Sequence, residues 1–240
     1  MTAVPRVSIV IPARNEERVL AATLASVRRA GTSTGLPFEI IVVDDASEDR
    51  TAAIAAEAGA RVVPVKIHNI GAVRNAGARA ALGDVLVFLD ADTLLPEATL
   101  QAALRALDAG AVGGGAWVEF DGRITWVQAL LARAFAWFWL RLCGWGAGCF
   151  LFTRRADFDA IGGFDEQYFC AEERFFSAAL KARGRFVILR ESVVTSARKL
   201  RLYSTGRLIW IGLRTLCTGK QRFRQREGLE ILYDAPRETG

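Results

Sequence analysis

Residues 85–93 read VLVFLDADT. Val85 to Leu89 form an uninterrupted apolar run of strand length, with no polar position to face water. Asp90 and Asp92 follow at once. Charge left buried at a strand end costs several kcal/mol unless it is paired or bound to a cation. The two carboxylates must therefore reach solvent, a ligand or a metal.

Outward from this strand the chain alternates between two periodicities. On the N-terminal side, Val7–Ile11 is a β-branched run ended by Pro12. Asn15 is placed to cap the helix that follows, with Glu16 and Glu17 in its first turn and Leu20, Leu24 and Val27 on its apolar face. Residues 31–37, GTSTGLP, form a turn. Glu39–Val43 is a second strand that closes on Asp44 and Asp45, and Ala52–Ala60 reads as a helix. Arg61–Val65 is a short strand, and Ala72–Leu82 a helix stopped by Gly83. On the C-terminal side, Pro96–Leu107 is helical and residues 111–119 are a further strand in a different setting. Strands alternating with helices at this spacing predict an α/β fold with a mostly parallel, Rossmann-like sheet covered by helices on both faces. Such sheets bind ligands at the carboxyl ends of their strands. Three strand ends carry polar clusters here: PARNEE (12–17), DDASEDRT (44–51) and DADT (90–93). One shared ligand site accounts for all three.

Composition excludes several chemistries. The chain has 240 residues, is 52% hydrophobic and carries a formal charge of +5, so it supports a sizeable core and is not a disordered polyelectrolyte. Its four cysteines form no CxxC pair, which argues against a zinc ribbon and for reduced thiols. His68 is the one histidine, so a multi-histidine metal site is excluded, and no GxSxG elbow accompanies it. His68 itself reads as a loop residue. The N-terminus turns charged too soon for a signal peptide. The segment 124–152 is rich in tryptophan and phenylalanine but interrupted by Arg133 and Arg141; it is a buried or interfacial helix in preference to a membrane span. From Ser192 to Arg226 there is no acidic residue, and nine Lys and Arg are interleaved with Leu208, Ile209, Trp210 and Ile211.

Four segments taken in order carry a resemblance: VSIVIPARNEE (7–17), IIVVDDASEDRT (40–51), NIGAVRNAGARAALGDVLVFLDADT (69–93) and GGFDEQYFCAEERFFSAAL (162–180). Together they resemble family 2 glycosyltransferases of the GT-A fold, inverting enzymes that use nucleotide-sugar donors. The resemblance implies a GT-A domain over 1–195, with a nucleotide-binding half at about 1–110 and an acceptor half at about 111–195. Residues 196–240 would be a basic amphipathic helical extension. It implies that Pro12, Ala13, Asn15 and Glu16 line the base and ribose, that Asp45 accepts a base N–H, that Gly71 permits close backbone approach, and that Arg74 neighbours the diphosphate. Asn75 would brace the loop. Asp90 would face the ribose, and Asp92 with Asp90 would hold Mn²⁺ or Mg²⁺, cations that favour hard oxygen ligands. Family members often show ED where this chain has Glu172 and Glu173. Glu173 takes the place of the usual catalytic base, and the longer side chain leaves the choice between the two open.

The implied activity is transfer of a sugar, most commonly from a UDP donor, to a hydroxyl acceptor, with a lipid-linked acceptor as one option. Nucleic acid is not an expected partner. The basic C-terminal segment suggests a cytoplasmic protein in peripheral contact with an anionic membrane. Two alternatives stand beside this. A nucleotidyltransferase of similar sheet is disfavoured because PARNEE lacks the glycine and lysine of a phosphate loop. The other is a non-catalytic membrane-associated module that binds nucleotide sugars. No QxxRW motif is present, which disfavours a processive polymerase.

Overall fold

The computed structural model describes residues 4–122, 137, 144–169 and 171–197. Within them eight strands form one sheet: β1 (Val7–Ala13), β2 (Phe38–Asp45), β3 (Arg61–Val65), β4 (Val85–Leu89), β5 (Thr93–Leu94), β6 (Gly113–Phe120), β7 (Phe150–Arg154) and β8 (Phe186–Thr195). Their spatial order is β3-β2-β1-β4-β7-β6-β8-β5. The half from β3 to β4 is parallel throughout. Beyond β4 the sheet turns mixed: β7 runs antiparallel to both β4 and β6, β8 is parallel to β6, and β5 is antiparallel to β8.

Both faces of the sheet are covered, as the unbroken strand runs require. Ile9, Ile11, Val42, Val85, Val87 and Leu89 face one core, packed by Leu20, Leu24 and Val27 of α1 (Leu20–Ser33) and by Leu100 and Leu107 of α4 (Glu97–Asp108). Val10, Ile41, Val43, Leu86 and Phe88 face the other. That core is closed by α3 (Ile70–Ala80), α5 (Arg155–Ala160) and α6 (Glu172–Arg183), with α2 (Thr51–Glu57) at the sheet's edge between β2 and β3. In the second core Phe88 lies 5.0 Å from Phe164, 5.5 Å from Phe158 and 6.2 Å from Phe176, centroid to centroid. Phe164 stacks on Phe176 at 4.2 Å. This aromatic block lies under the strand end that bears Asp90.

Several expected boundaries move, each for a physical reason. β1 continues through Pro12 to Ala13, because its pairing with β4 stops at Val10↔Phe88 while that with β2 continues to Ala13↔Asp44. The proline thus sits where β1 has one neighbour, a position that tolerates a missing N–H. Asn15 does not cap α1. It takes a left-handed turn, with φ 52°, and the helix starts at Leu20 after Val19. Asn69, not an expected cap, holds the start of α3 by accepting from Ala72 N at 2.9 Å. Gly83 is not the helix stop, since α3 ends at Ala80. Gly83 is there for close approach: a Cβ on it would lie 2.8 Å from Ser8 Oγ and 2.9 Å from Ser8 N. The aromatic segment 124–142, apart from Trp137, and the basic stretch after Ala197 lie outside the described residues. No described helix is long and apolar enough to cross a membrane.

Candidate active site

The carboxyl ends of β1 and β2 are knitted together by their own loops. Asn15 N donates to Ser47 Oγ at 2.8 Å, and Asn15 Oδ1 accepts from Glu48 N at 2.6 Å. Glu16 N donates to Thr51 Oγ1 at 2.7 Å. Asn15 therefore braces two loops. Pro12 and Ala13 are buried in β1, with Ala13 in the core. Asp45 is 6% exposed and accepts from Ile67 N at 2.7 Å and His68 N at 2.9 Å. Much of its accepting capacity shapes the 66–69 loop, and the His68 ring stands 3.4 Å from it. Asp44 Oδ1 is buried and has no hydrogen-bond partner among the described residues.

The next strand end brings in the carboxylate pair. Asp90 N donates to Cys149 O at 3.1 Å, and Ser196 N donates to Asp92 O at 3.1 Å. The DAD turn is thus held on one side by the 144–149 segment and on the other by the end of β8. The Asp90 side chain is 34% exposed. Burial and the nearby Asp90 and Asp92 raise the Cys149 thiol, which keeps it protonated and out of nucleophilic chemistry.

Arg74 is the hub of the site. It is 2% exposed. Nη1 donates to Glu172 Oε1 at 2.6 Å, and Nη2 donates to Asp90 Oδ1 at 3.0 Å and to Gly148 O at 2.8 Å. Its guanidinium lies 5.3 Å from the centroid of Phe164. Burial pulls its pKa down, but Asp90, Glu172 and Glu173 more than offset this, so it stays charged. Its terminal nitrogens are committed within the protein. Arg74 ties Asp90 of the DAD turn to the helix that carries the second acid pair.

That helix, α6, begins after Ala171, which holds φ 59° without side-chain compensation. Left-handed alanine is costly. The described non-glycine residues with positive φ are Asn15, Ala46, His68 and Ala171, all in the loops around these strand ends. Such clustering is typical of functional sites. Glu172 is 6% exposed and tied to Arg74. Glu173 is part-buried. A Cβ built on Gly148 would lie 3.4 Å from Arg74 Nη2 and 3.7 Å from Glu173 Oε2, so this glycine leaves the carboxylate its room. Burial first, then Glu172, push the Glu173 carboxyl up to about 8, against a backbone hydrogen bond and Arg74.

The expected bracing by Asn75 is present. Its Nδ2 donates to Phe164 O at 2.8 Å and to Glu166 Oε1 at 2.9 Å, while its Oδ1 accepts from Phe164 N at 2.9 Å. Gly71 approaches this same turn: a Cβ there would lie 3.4 Å from Phe164 Cβ. Asp165 accepts from Gln167 N as a turn residue.

Asp90 and Asp92 suit a hard divalent cation. They supply oxygen only, and among the described residues no group of three His, Cys, Asp or Glu forms a closed cage. An incomplete oxygen set fits an ion that fills its remaining positions with water and substrate phosphate.

A family model described as Glycosyl transferase family 2 matches residues 8–167. The chain belongs to that family. It is similar to a 4,4'-diaponeurosporenoate glycosyltransferase of Staphylococcus haemolyticus, 39% identical over 108 residues, 42% of this chain and 28% of that protein. It is also similar to an undecaprenyl-phosphate 4-deoxy-4-formamido-L-arabinose transferase of Edwardsiella ictaluri, 37% identical over 116 residues, 43% of this chain and 34% of the other. The match thus spans about 28% and 34% of these relatives' lengths. Among solved structures, S. aureus TarS 1-349 superposes with a TM-score of 0.63 at 20% identity, covering 97% of this chain and 73% of that one. The mannosyltransferase PcManGT of Pyrobaculum calidifontis, in complex with GDP-Man and Mn²⁺, gives 0.63 at 20% identity, covering 91% and 66%. These two share the GT-A fold with this chain, a mixed sheet with flanking helices. The glycosyltransferase family expected from the four segments is the one found.

The sequence alone did not reveal the 144–149 segment, nor the role of Gly148 beside both acid pairs. The glycines of GWGAGC were visible, but they read as the end of an aromatic helix.

Proposed function

We propose that this glycosyltransferase moves a sugar from a nucleoside-diphosphate donor to a hydroxyl acceptor by a single inverting displacement. The observation that carries this is the pairing of Asp90 and Glu172 on one buried guanidinium, Arg74, with Glu173 beside it. Two acid pairs from distant segments converge at the strand ends, where a donor would lie on one side and an acceptor on the other.

The donor nucleotide would occupy the ends of β1 and β2, framed by the 14–17 and 46–51 loops. Asp45 would act chiefly through the 66–69 loop that it holds. Asp92, with the second oxygen of Asp90, would hold Mn²⁺ or Mg²⁺. When bound, that ion supplies neutralisation of charge on the departing diphosphate. Glu173 accepts the acceptor's hydroxyl proton as the new glycosidic bond forms. Its raised pKa makes it a stronger base than an ordinary carboxylate, closer to the range that favours proton transfer near neutral pH. Glu172, closed off by Arg74, is a positioning residue. Asp90 is fixed from beneath by Arg74, so its orientation does not have to be found anew when donor binds.

The relatives named for a carotenoid acid and for undecaprenyl phosphate support an acceptor built on a lipid. The chain would then work as a peripheral protein at the cytoplasmic membrane face, through the basic segment 196–240. Incubating the protein with labelled UDP-, GDP- and dTDP-sugars and a bacterial lipid extract tests the reading. Transfer to a lipid or soluble acceptor, abolished by EDTA and restored by Mn²⁺ or Mg²⁺, is the expected result. Binding of every donor with no hydrolysis or transfer would leave a non-catalytic binding module.

A further inference from the structure

Arg174 follows Glu173 on α6 and takes no part in the chemistry above. Its guanidinium lies 4.4 Å from the centroid of the Trp145 ring and 5.8 Å from that of Phe175. The side chain is half-buried. Among the described residues it has no carboxylate partner, whereas Arg183 at the other end of the helix pairs with Asp157 at 3.1 Å. Trp145 belongs to the segment that runs along this helix: Gly146 N donates to Ser177 Oγ at 3.0 Å, and Gly148 approaches Glu173. The stacked guanidinium therefore stands in the same strip of surface as the proposed base.

Ring stacking fixes the plane of a guanidinium and reduces its freedom, but leaves its in-plane N–H donors to be satisfied elsewhere. A partly desolvated cation, pre-oriented and without a counter-charge, is a receptor for an oxyanion, which it can grip with two parallel hydrogen bonds. We propose that the acceptor carries an oxyanion near its reacting hydroxyl, a phosphate monoester or a carboxylate, and that Arg174 binds it, with Trp145 holding the guanidinium in place. Arg174 is thereby the residue that selects anionic over neutral acceptors. This rests on the glycosyl-transfer reading of the site, but its test reads binding alone.

Octyl phosphate, octanoate and octanol are titrated calorimetrically into the full chain, with UDP and Mn²⁺ present to fill the donor side. The wild type is expected to bind one or both anions about tenfold to a hundredfold more tightly than octanol, the range of a charge-assisted hydrogen-bonded contact. The stronger anion identifies the acceptor class. Arg174→Gln should bring anion affinity down to that of octanol, and Arg174→Lys should recover part of it. Trp145→Leu should weaken anion binding while leaving the charge in place. Glu173→Gln should bind the anions as the wild type does, so loss of transfer and loss of anion binding separate. Equal anion affinity in wild type and folded Arg174→Gln would overturn the proposal. So would a loss of UDP affinity in Arg174→Gln with octyl phosphate and octanoate unchanged, which would assign the residue to the donor.

Discussion

At the scale of single residues, the site divides carboxylates by what surrounds them. Glu172 and Glu173 are neighbours in sequence, yet one is tied to Arg74 at 2.6 Å and the other is not. Burial and the neighbouring Glu172 push the Glu173 carboxyl up, and a raised pKa on one of two adjacent acids suits it to a separate role. Glu173→Gln should retain donor binding while transfer falls by about 10² to 10⁴. The wild-type kcat/KM should rise with pH through about 8, where Glu173 becomes ionised, and the glutamine variant should lose that limb. A folded variant with unchanged rate moves the base elsewhere. The same shift has a stability consequence. The folded carboxyl, near 8, holds its proton well above the ordinary 4.5, so the folded state binds more protons in that interval. Stability of the metal-free protein should therefore fall as pH rises from about 4.5 to 8 and then level off. Glu173→Gln should be the more heat-stable form above pH 8 in EDTA; an identical melting profile would contradict the raised pKa. For Asp92→Asn, loss of a charged oxygen ligand should remove most of the Mn²⁺-dependent donor binding. Equilibrium dialysis of nucleotide sugar at limiting Mn²⁺ checks it, and near-normal retention would end the metal role assigned to Asp92.

At the scale of elements, the two acid pairs are held together by packing below and by the two ion pairs of Arg74 above. Phe88 of β4 touches Phe164 before α6 and Phe176 within it, so the strand bearing Asp90 and the helix bearing Glu173 share a core. Arg74 completes the link from α3. Arg74→Met leaves Glu172 buried and unpaired, a change worth about 3–5 kcal/mol in other buried pairs. Glu172→Gln should cost less, since the guanidinium keeps Asp90 and Gly148 O. Chemical denaturation of the two variants checks the order; the reverse order would mean that Arg74 is not the hub. α3 also meets the sheet with no room to spare. A Cβ on Gly77 would lie 2.2 Å from Val10 Cγ1 and 2.8 Å from Val43 Cγ2, so Gly77→Ala should destabilise by about 1–3 kcal/mol through overpacking. The parallel half was legible in the sequence because its strands are apolar at every position and end in charge. Of the mixed half only β6 was, as the strand expected at 111–119. FLFTR of β7 is the tail of a longer aromatic run, without a period of its own, and β8 alternates only loosely around Arg190 and Glu191. The donor-side carboxylates were readable from their position after strands. The function of Arg74 was not, because burial of a guanidinium depends on which distant carboxylates the fold brings to it.

At the scale of the whole molecule, the proposed donor and acceptor chemistry would fall on different topologies of the sheet. The parallel strands β1, β2 and β4 supply the loops that would frame the donor. β7, with the 144–149 segment before it, joins antiparallel to β4 and brings Gly148 beside Glu173 and Trp145 beside Arg174. The end of β8 reaches Asp92 through Ser196 N, and the basic run of the sequence starts directly afterwards, at Arg198. Nine Lys and Arg between Ser192 and Arg226, with no acidic residue among them, suit an anionic lipid surface, where each contributes on the order of 1 kcal/mol when close. Screening shortens that attraction to about 8–10 Å at physiological salt. The full chain should therefore pellet with phosphatidylglycerol vesicles at low salt, pellet less as salt is raised, and ignore phosphatidylcholine vesicles. Replacing Arg222, Arg224 and Arg226 together with glutamine should weaken pelleting while leaving Mn²⁺-dependent donor binding unchanged, because the proposed donor-framing loops are built by residues 14–17 and 46–51. A monodisperse sample that fails to pellet at low salt would separate the enzyme from the membrane and point to a soluble acceptor.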